Sequence, residues 1–534
     1  MAEIPKKQTA VQLVGPDKLK LNPSKPVFAP GPHQILAKVE VTGLCFSDLK
    51  LLKQFSQHAR KLPIASGIAP EALSEMPNYV PGDKPAVPGH ETVVRIVAVG
   101  PDVTRHKPGE RALVQTDYRW LPTATSNASF GYNFEGALQE YVLMDERVVI
   151  SPAGESMLIP VPEDLSASAL ALVEPWACVE RAYVEEQRRT LKPGGRLFIA
   201  GDGPVNESLL NGIRQPHETA EFYAAGDIAA LKDGTYDDIV YFGSTADTVE
   251  KLFSKLAPGG LMVLVQGGGR FGRPVVTPVG RFHYGGIRIV GTAGDDPAAA
   301  LASIPRTAEI RAGDKIVIVG AAGPMGTMHV IRDLCQGVPD VKVFAGDINP
   351  GRLAMLRKLA EPLARKNKLD LQVYDAKKQT LGDGFDYQVL MVPLPALVAQ
   401  AVTAAAPGAI VNIFAGIAAD KTAELDLDAM IDKRVYLMGT SGSVIEDMRL
   451  VLAKVVSRRL NTDLSVAAVS GLDGAIDGMR AVEQNAMLGK ILVYPSCRGL
   501  KLTTLAELDG KLPLEDGAWN RRAEQTLLKQ YEGS

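Results

Sequence analysis

Three short stretches carry side chains able to hold a metal: Gly43-Leu44-Cys45-Phe46-Ser47-Asp48, Gly89-His90-Glu91 and Val173-Glu174-Pro175. Taken singly, each has an ordinary structural reading. Cys45 can be a buried apolar thiol, His90 a turn histidine and Glu174 a carboxylate at a helix start. Taken together they offer one thiolate, one imidazole and two carboxylates, a donor set that suits borderline-soft Zn2+ with an exchangeable position. A second kind of chemistry is written around residue 320. The apolar stretch 316–320 runs into Ala321-Ala322-Gly323-Pro324-Met325-Gly326 and then a helical pattern from Thr327. Strand, glycine turn and helix in that order suit a dinucleotide pyrophosphate. Gly323 lets backbone approach phosphate, Gly326 lets helix pack on strand, and the helix start offers free N–H groups. About twenty residues further on, the next apolar stretch ends at Asp347. A carboxylate there accepts both ribose hydroxyls and repels a 2′-phosphate, so NAD is expected, with NADP the alternative. The candidate cofactor residues are Gly320, Ala322, Gly323, Pro324, Met325, Gly326, Asp347, Ile348 and Arg352.

These residues need elements to hold them. Up to about residue 150 the chain reads as short strands (34–41, 92–99, 111–114) broken by Gly-Pro and Pro-Gly pairs, the texture of a β-barrel-like domain. Residues 165–184 form an apolar stretch of helical length, and beyond them apolar strands alternate with helical patterns, which implies βαβ units and parallel sheets. This second part reads as a duplication. Segments opening at 192 and 311 are followed in matched order by 236–243 and 385–392, by 256–266 and 405–416, and by 287–292 and 434–440. The openings are offset by 119 positions and the closing Gly-Thr pairs by 148, so the first copy is 29 residues shorter, with the loss in its first half. The first copy's own turn, Gly201-Asp202-Gly203-Pro204-Val205-Asn206, has Asn206 in place of the last glycine and no following acidic residue at the ribose distance. It is read as degenerate and non-binding, and the glycines of 265–270 as a turn. Residues 446–495 begin helical and return to short strands. The polar last forty or so are expected to wrap the surface.

Composition bounds the class. The 534 residues are 46% hydrophobic and 22% charged with a formal net charge of −3. That excludes wholesale disorder and leaves room for about three or four domains. With no Lys/Arg block, nucleic acid or an anionic membrane is not expected as a partner. No apolar run reaches the ~18 residues that a membrane span needs. The first ten residues lack the apolar core of a signal peptide, and the four cysteines make no CxxC and no disulfide framework, so the expected location is cytoplasmic.

GLCFSDLK, VPGHETVVRIVAVGPDVTRHKPGERALV and ALVEPWACV resemble the zinc-dependent medium-chain dehydrogenase/reductase superfamily. Within it, CFSDLK, GAAGPMG, VPLPALV, NIFAG, GTSG and SGLDGAIDGM resemble the L-sorbose-1-phosphate reductase-like branch, and the Glu-Pro form of the Glu174 motif resembles polyol and sugar dehydrogenases. The resemblance implies a GroES-like β-barrel catalytic domain followed by a Rossmann domain. With the duplication, the expected fold is α/β plus β with two tandem Rossmann-like doubly wound domains, the extra copy being the largest departure from the family. The expected boundaries are 1–184 for the catalytic domain (completed by 446–500), 185–303 for the degenerate copy, 304–445 for the NAD(P)-binding copy and 501–534 for a tail. The resemblance further implies that Cys45, His90 and Glu174 hold a catalytic zinc, with Glu91 either a fourth ligand or a nearby carboxylate that exchanges with water. Neighbours on a regular strand point to opposite faces, so His90 and Glu91 can both reach a metal only if the backbone breaks there. Ser47 corresponds to the hydroxyl that relays the substrate proton, and Asp48 to the acid that supports the site.

The chain also departs from that pattern. The usual four-cysteine lobe is missing, so one catalytic zinc and no structural zinc is expected. The Cys45–His90 interval is longer than usual. Its extra stretch around 58–81, containing His58, Arg60 and Lys61, is read as a solvated surface insertion, with a lid or a contact for an anionic substrate as the alternative. The implied reaction moves a hydride between NAD(P) and a secondary hydroxyl or ketone of a polyol, sugar or sugar phosphate. The alternatives are an aldehyde or enone reductase and a non-catalytic nucleotide-binding scaffold. A homo-oligomer, dimer or tetramer, is implied as well.

Overall fold

The computed structural model describes residues 4–532 apart from 204, 206, 214–218 and 225–227. Pro204 and Asn206, on which the degenerate reading of the first glycine turn partly rests, lie outside the described residues. Two compact units divide the chain: Met1–Ala177 with Ser443–Ser534, and Cys178–Gly442. Among the described residues no helix is long and apolar enough to cross a membrane.

The first unit is organised by an eight-stranded sheet. Its central strand, Gln34–Gly43, is buried along nearly its whole length and pairs antiparallel with Glu91–Val99 on one side. On the other side lies Lys490–Val493, from more than four hundred residues away, antiparallel through Leu492↔Gly43 and Val493↔Thr42. Two register shifts in the Gln34–Gly43/Glu91–Val99 ladder bend these strands, and the last pair is Gly43↔Glu91. That pair decides the site: Cys45 lies two residues past Gly43 and His90 one residue before Glu91. The polar tail does more than wrap the surface. Its helix Arg521–Gln530 buries Ala523 and Leu527 one turn apart, Trp519 just before it is buried too, and Glu524 on the same face is carried inside. The Glu524 carboxylate accepts from the backbone N–H groups of Ala167 (2.7 Å) and Ser168 (2.8 Å), donors that a helix start leaves unsatisfied, and from the Tyr494 hydroxyl (2.9 Å).

In the second unit the two copies appear as two parallel sheets. The six-stranded sheet runs Asp370–Asp375, Lys342–Asp347, Lys315–Val319, Phe385–Leu390, Ala405–Ile413, Tyr436–Met438, the doubly wound order with its reversal beside Lys315–Val319. The other runs Thr219–Ala224, Arg196–Gly201, Tyr236–Phe242, Leu256–Val265, Arg288–Thr292. Among the described residues it has no counterpart of Asp370–Asp375, which is where its missing residues fall. The two copies pack on a shared hydrophobic core. Phe198, Tyr241 and Leu264 of the first pack in one cluster with Leu390, Val411 and Leu437 of the second.

A local two-fold relation joins the copies. Val275–Thr277 pairs antiparallel with Ala423–Leu425, with Val276 opposite Glu424, and these two residues are separated by the same 148 positions as the closing Gly-Thr pairs. Reciprocal contacts obey the same offset: Gly291 packs on Ile431, and Gly439 packs on His283. A patch that meets its own equivalent in this way is the signature of an isologous interface, here closed within one chain.

Candidate active site

Cys45 precedes the helix Phe46–Gln54, and the Asp48 carboxylate accepts from the Cys45 backbone N–H (3.1 Å). The other Asp48 oxygen lies 3.1 Å from His90 Nδ1, so the buried carboxylate orients the imidazole and turns Nε2 toward the cysteine. Ser47 stands between the two: its Oγ is 3.2 Å from Cys45 Sγ and 3.2 Å from His90 Nε2, and it also hydrogen-bonds the Tyr132 hydroxyl. Burial works against a charged His90, yet the Asp48 carboxylate, Tyr132 and Cys45 outweigh it and hold its pKa well above the ordinary value.

The backbone does break before Glu91. Gly89 has φ +96°, a conformation that favours glycine, and the strand starts only at Glu91. One ligand atom each from Cys45, His90 and Glu91 consequently falls within 4.8 Å of the others. Glu91 is fully buried. Its Oε1 accepts from Lys490 Nζ, while Oε2 finds no hydrogen-bond partner among the described residues. Glu174, in the first turn of helix Val173–Val184, stands outside this set of three but close to it. Burial pushes its pKa up to about 7, the Glu91 charge adds to that, and His90 and Lys490 oppose it. A thiol, an imidazole and a carboxylate with an orphaned buried oxygen converge here, and that donor chemistry fits Zn2+.

Two groups of residues in this site were not anticipated as such. Lys490, the first residue of an apolar strand, is buried. Burial opposes its charge, but Glu91 and Cys45 overcome this and raise its pKa. The insertion is likewise not simply solvated. The His58 ring stacks on Tyr132 at 5.1 Å, Tyr132 in turn lies 5.7 Å from His90, and the Arg60 guanidinium sits 5.4 Å from the Tyr132 ring centre while pairing with Asp117 at 2.9 Å. Burial, then the Arg60 charge, brings the His58 pKa down to about 4. Lys61 is buried, donates to the carbonyl oxygens of Val80 and Lys84, and has its pKa lowered to about 8, first by burial. The extra length therefore folds back as part of the wall around His90.

In the second unit, the N–H groups of Gly320 and Ala321 both donate to the Gly346 carbonyl (2.9 Å each), tying the glycine turn to the next strand. Gly326 sits against the Gly320 carbonyl and the Ala321 backbone, where any side chain would lever the helix Pro324–Cys335 off the strand. Gly323, Pro324 and Met325 are half-buried at that helix's start, beyond the carboxyl end of Lys315–Val319 where the strand order reverses. Ala322 is buried. Asp347 ends its strand as expected, but only 8% of it is exposed. Its carboxylate accepts from the backbone N–H groups of Ala322 (3.2 Å), Ile348 (2.8 Å) and Asn349 (3.0 Å), so it also pins the turn. The Ile348 side chain is exposed, and Arg352 follows in the first turn of helix Pro350–Asn367. This cradle fits a dinucleotide. In the first copy's turn the Asp202 carboxylate accepts from the Tyr241 hydroxyl (2.5 Å), the Ser244 N–H (2.9 Å) and the Thr245 hydroxyl (2.9 Å).

Residues 31–153 match the alcohol dehydrogenase GroES-like domain, a stretch containing Cys45, Ser47, His90 and Glu91. The chain is 29% identical over 238 residues to L-sorbose 1-phosphate reductase of Klebsiella pneumoniae, covering 42% of this chain and 57% of that protein. It is 33% identical over 247 residues to an alcohol dehydrogenase of Rhizobium meliloti, covering 42% of this chain and 61% of the relative. Residues 31–153 thus carry the alcohol dehydrogenase GroES-like domain, and the chain is similar to sugar and alcohol dehydrogenases. The chain spans less than two thirds of the length of these relatives. A likeness of fold extends through most of the chain. The crystal structure of 2R,3R-butanediol dehydrogenase from Bacillus subtilis superposes with a TM-score of 0.54 at 16% identity, covering 92% of this chain and all of that one.

Proposed function

We propose that this chain is a zinc-type medium-chain oxidoreductase that interconverts a secondary hydroxyl and a ketone on a polyol, sugar or sugar phosphate with a nicotinamide cofactor. One observation carries the reading: Cys45, His90 and Glu91 converge within 4.8 Å, with the Ser47 hydroxyl between thiol and imidazole. The relatives named as acting on sugars, among them the L-sorbose 1-phosphate reductase and a sorbitol dehydrogenase of Gallus gallus, support the substrate class. Cys45, His90, Glu174 and, at least at some stage, Glu91 are the proposed zinc ligands. Among the described residues theirs is the neighbourhood that supplies such a cluster, so one catalytic zinc per chain is proposed.

Bound zinc supplies Lewis acidity to the substrate oxygen, and bound nicotinamide supplies a hydride acceptor or donor. The chain's own residues do the rest. Asp48 holds the His90 ring in one orientation, and Lys490 holds Glu91. Ser47 is placed to take the hydroxyl proton and pass it along its hydrogen bond to Tyr132. The turn Gly320–Gly326 cradles the pyrophosphate, Asp347 faces the ribose and favours NAD, and Asp202 keeps phosphate out of the first copy by its charge. Metal analysis together with a screen of polyols and sugar phosphates against NAD and NADP tests the reading. Protein that carries no zinc and binds neither cofactor would sink it. Cys45→Ala is expected to abolish turnover while leaving NADH affinity within about two-fold.

A further inference from the structure

The first copy reaches the carboxyl ends of the second copy's strands. Its short helix Gly280–His283 ends with His283, whose ring meets Phe414 edge-on at 6.1 Å, just past the end of Ala405–Ile413. Tyr284 follows, edge-on to His283 at 4.5 Å, and its hydroxyl lies against Gly416 so closely that any side chain at 416 would collide with it. Although packed there, Tyr284 remains 45% exposed beside the strand ends. Next to it Thr440, only 5% exposed, has a hydroxyl that meets no hydrogen-bond partner among the described residues. His283, Tyr284, Arg288, Thr440 and Ser441 help line a cavity of about 320 Å3.

Sheet order says which half of a dinucleotide comes here. A dinucleotide lies across the reversal point, between Lys315–Val319 and Phe385–Leu390. Asp347, on the Lys342–Asp347 side, takes the adenosine ribose, so the nicotinamide half extends the other way, over Phe385–Leu390 and Ala405–Ile413. Gly416 and Tyr284 stand at that end. We propose that Tyr284, carried by the first copy, is a contact for the nicotinamide half of the cofactor held by the second copy, its ring forming an apolar wall and its hydroxyl a hydrogen-bonding group beside Gly416. The first copy thereby acts as a built-in second subunit. Its own turn carries the Asp202 carboxylate, and it completes the crevice of its neighbour. The inference rests on the reading of the chain as a nicotinamide-dependent enzyme.

Binding of NADH and of ADP-ribose to the full-length chain, titrated in parallel, tests it, because the two ligands differ by the nicotinamide alone. Tyr284→Ala is expected to weaken NADH about five- to ten-fold, the worth of one aromatic contact, and to leave ADP-ribose unchanged. Tyr284→Phe keeps the packing and removes only the hydroxyl, and is expected to weaken NADH by a smaller factor, again with ADP-ribose unchanged. Equal effects on both ligands, or no effect on NADH in either variant, would overturn the proposal. Unaltered protein that binds neither ligand would instead overturn the functional reading beneath it.

Discussion

The Lys490 ammonium and the Glu91 carboxylate form an ion pair closed off from solvent, with Lys490 entering beside Gln34–Gly43 and Glu91 opening the strand on that strand's other side. Neither charge has water to fall back on, so each depends on the other. Removing one partner of such a buried pair costs about 3–5 kcal/mol, because the charge left behind is uncompensated. Lys490→Met should therefore lower stability by about that amount in urea denaturation, and the double variant with Glu91→Gln should recover much of it. A single variant as stable as the parent would show that the pair is not intact in solution.

Ser47 touches the thiol, the imidazole and the Tyr132 hydroxyl, which places it to pass a proton out of the cluster. Positioned proton transfer contributes about 10²–10⁴-fold to rate. Ser47→Ala should reduce kcat by a factor in that range while bound zinc, measured by metal analysis, stays at the parental level. A kcat within about two-fold of the parent would assign the relay elsewhere.

The tail carboxylate has a pH consequence. Asp463 hydrogen-bonds the Ser166 hydroxyl (3.0 Å), and burial, with the charge of Glu524 nearby, raises its pKa from 3.8 to about 7. Between those values the folded chain keeps a proton that the unfolded chain has lost. Asp463 thus favours folding fully only below the lower value, and that contribution falls as pH rises toward 7, by up to about 1.4 kcal/mol per pH unit. Asp463→Asn, which has no such proton to lose, should gain stability relative to the parent across this window. Parallel stability–pH curves would rule the account out.

The two-fold pairing of Val275–Thr277 with Ala423–Leu425 is spent inside the chain, and the first copy's turn carries the Asp202 carboxylate where a phosphate would approach. Calorimetric titration should therefore find one NADH per chain, and two would contradict the reading of the first copy as non-binding. Any homo-oligomer must use other surfaces, so Glu424→Arg, at the centre of the internal pairing, should lower the stability of the chain without changing its assembly state in light scattering.

What could be read from the sequence alone was whatever is local in the chain. The turn Gly320–Gly326, with Asp347 after it, was legible because the whole device, strand, glycines and helix start, lies in one short run whose chemistry needs no distant partner. The motifs around Cys45, His90 and Glu174 were legible for the same reason, as was the duplication, which repeats such runs in order. Tertiary structure alone decided what those motifs meet. Cys45 reaches His90 because the ladder between their strands closes at Gly43↔Glu91, and Lys490 and Glu524 join buried sites from the far end of the chain. His58 and Arg60 turned inward because Tyr132 offers an aromatic face, where the polar composition of their loop had suggested solvent. The first copy came to lie against Gly416 through the pairing of Val276 with Glu424. Which of many similar apolar strands pair, and in which register, depends on the shape and burial of both at once, and no stretch of sequence carries that by itself.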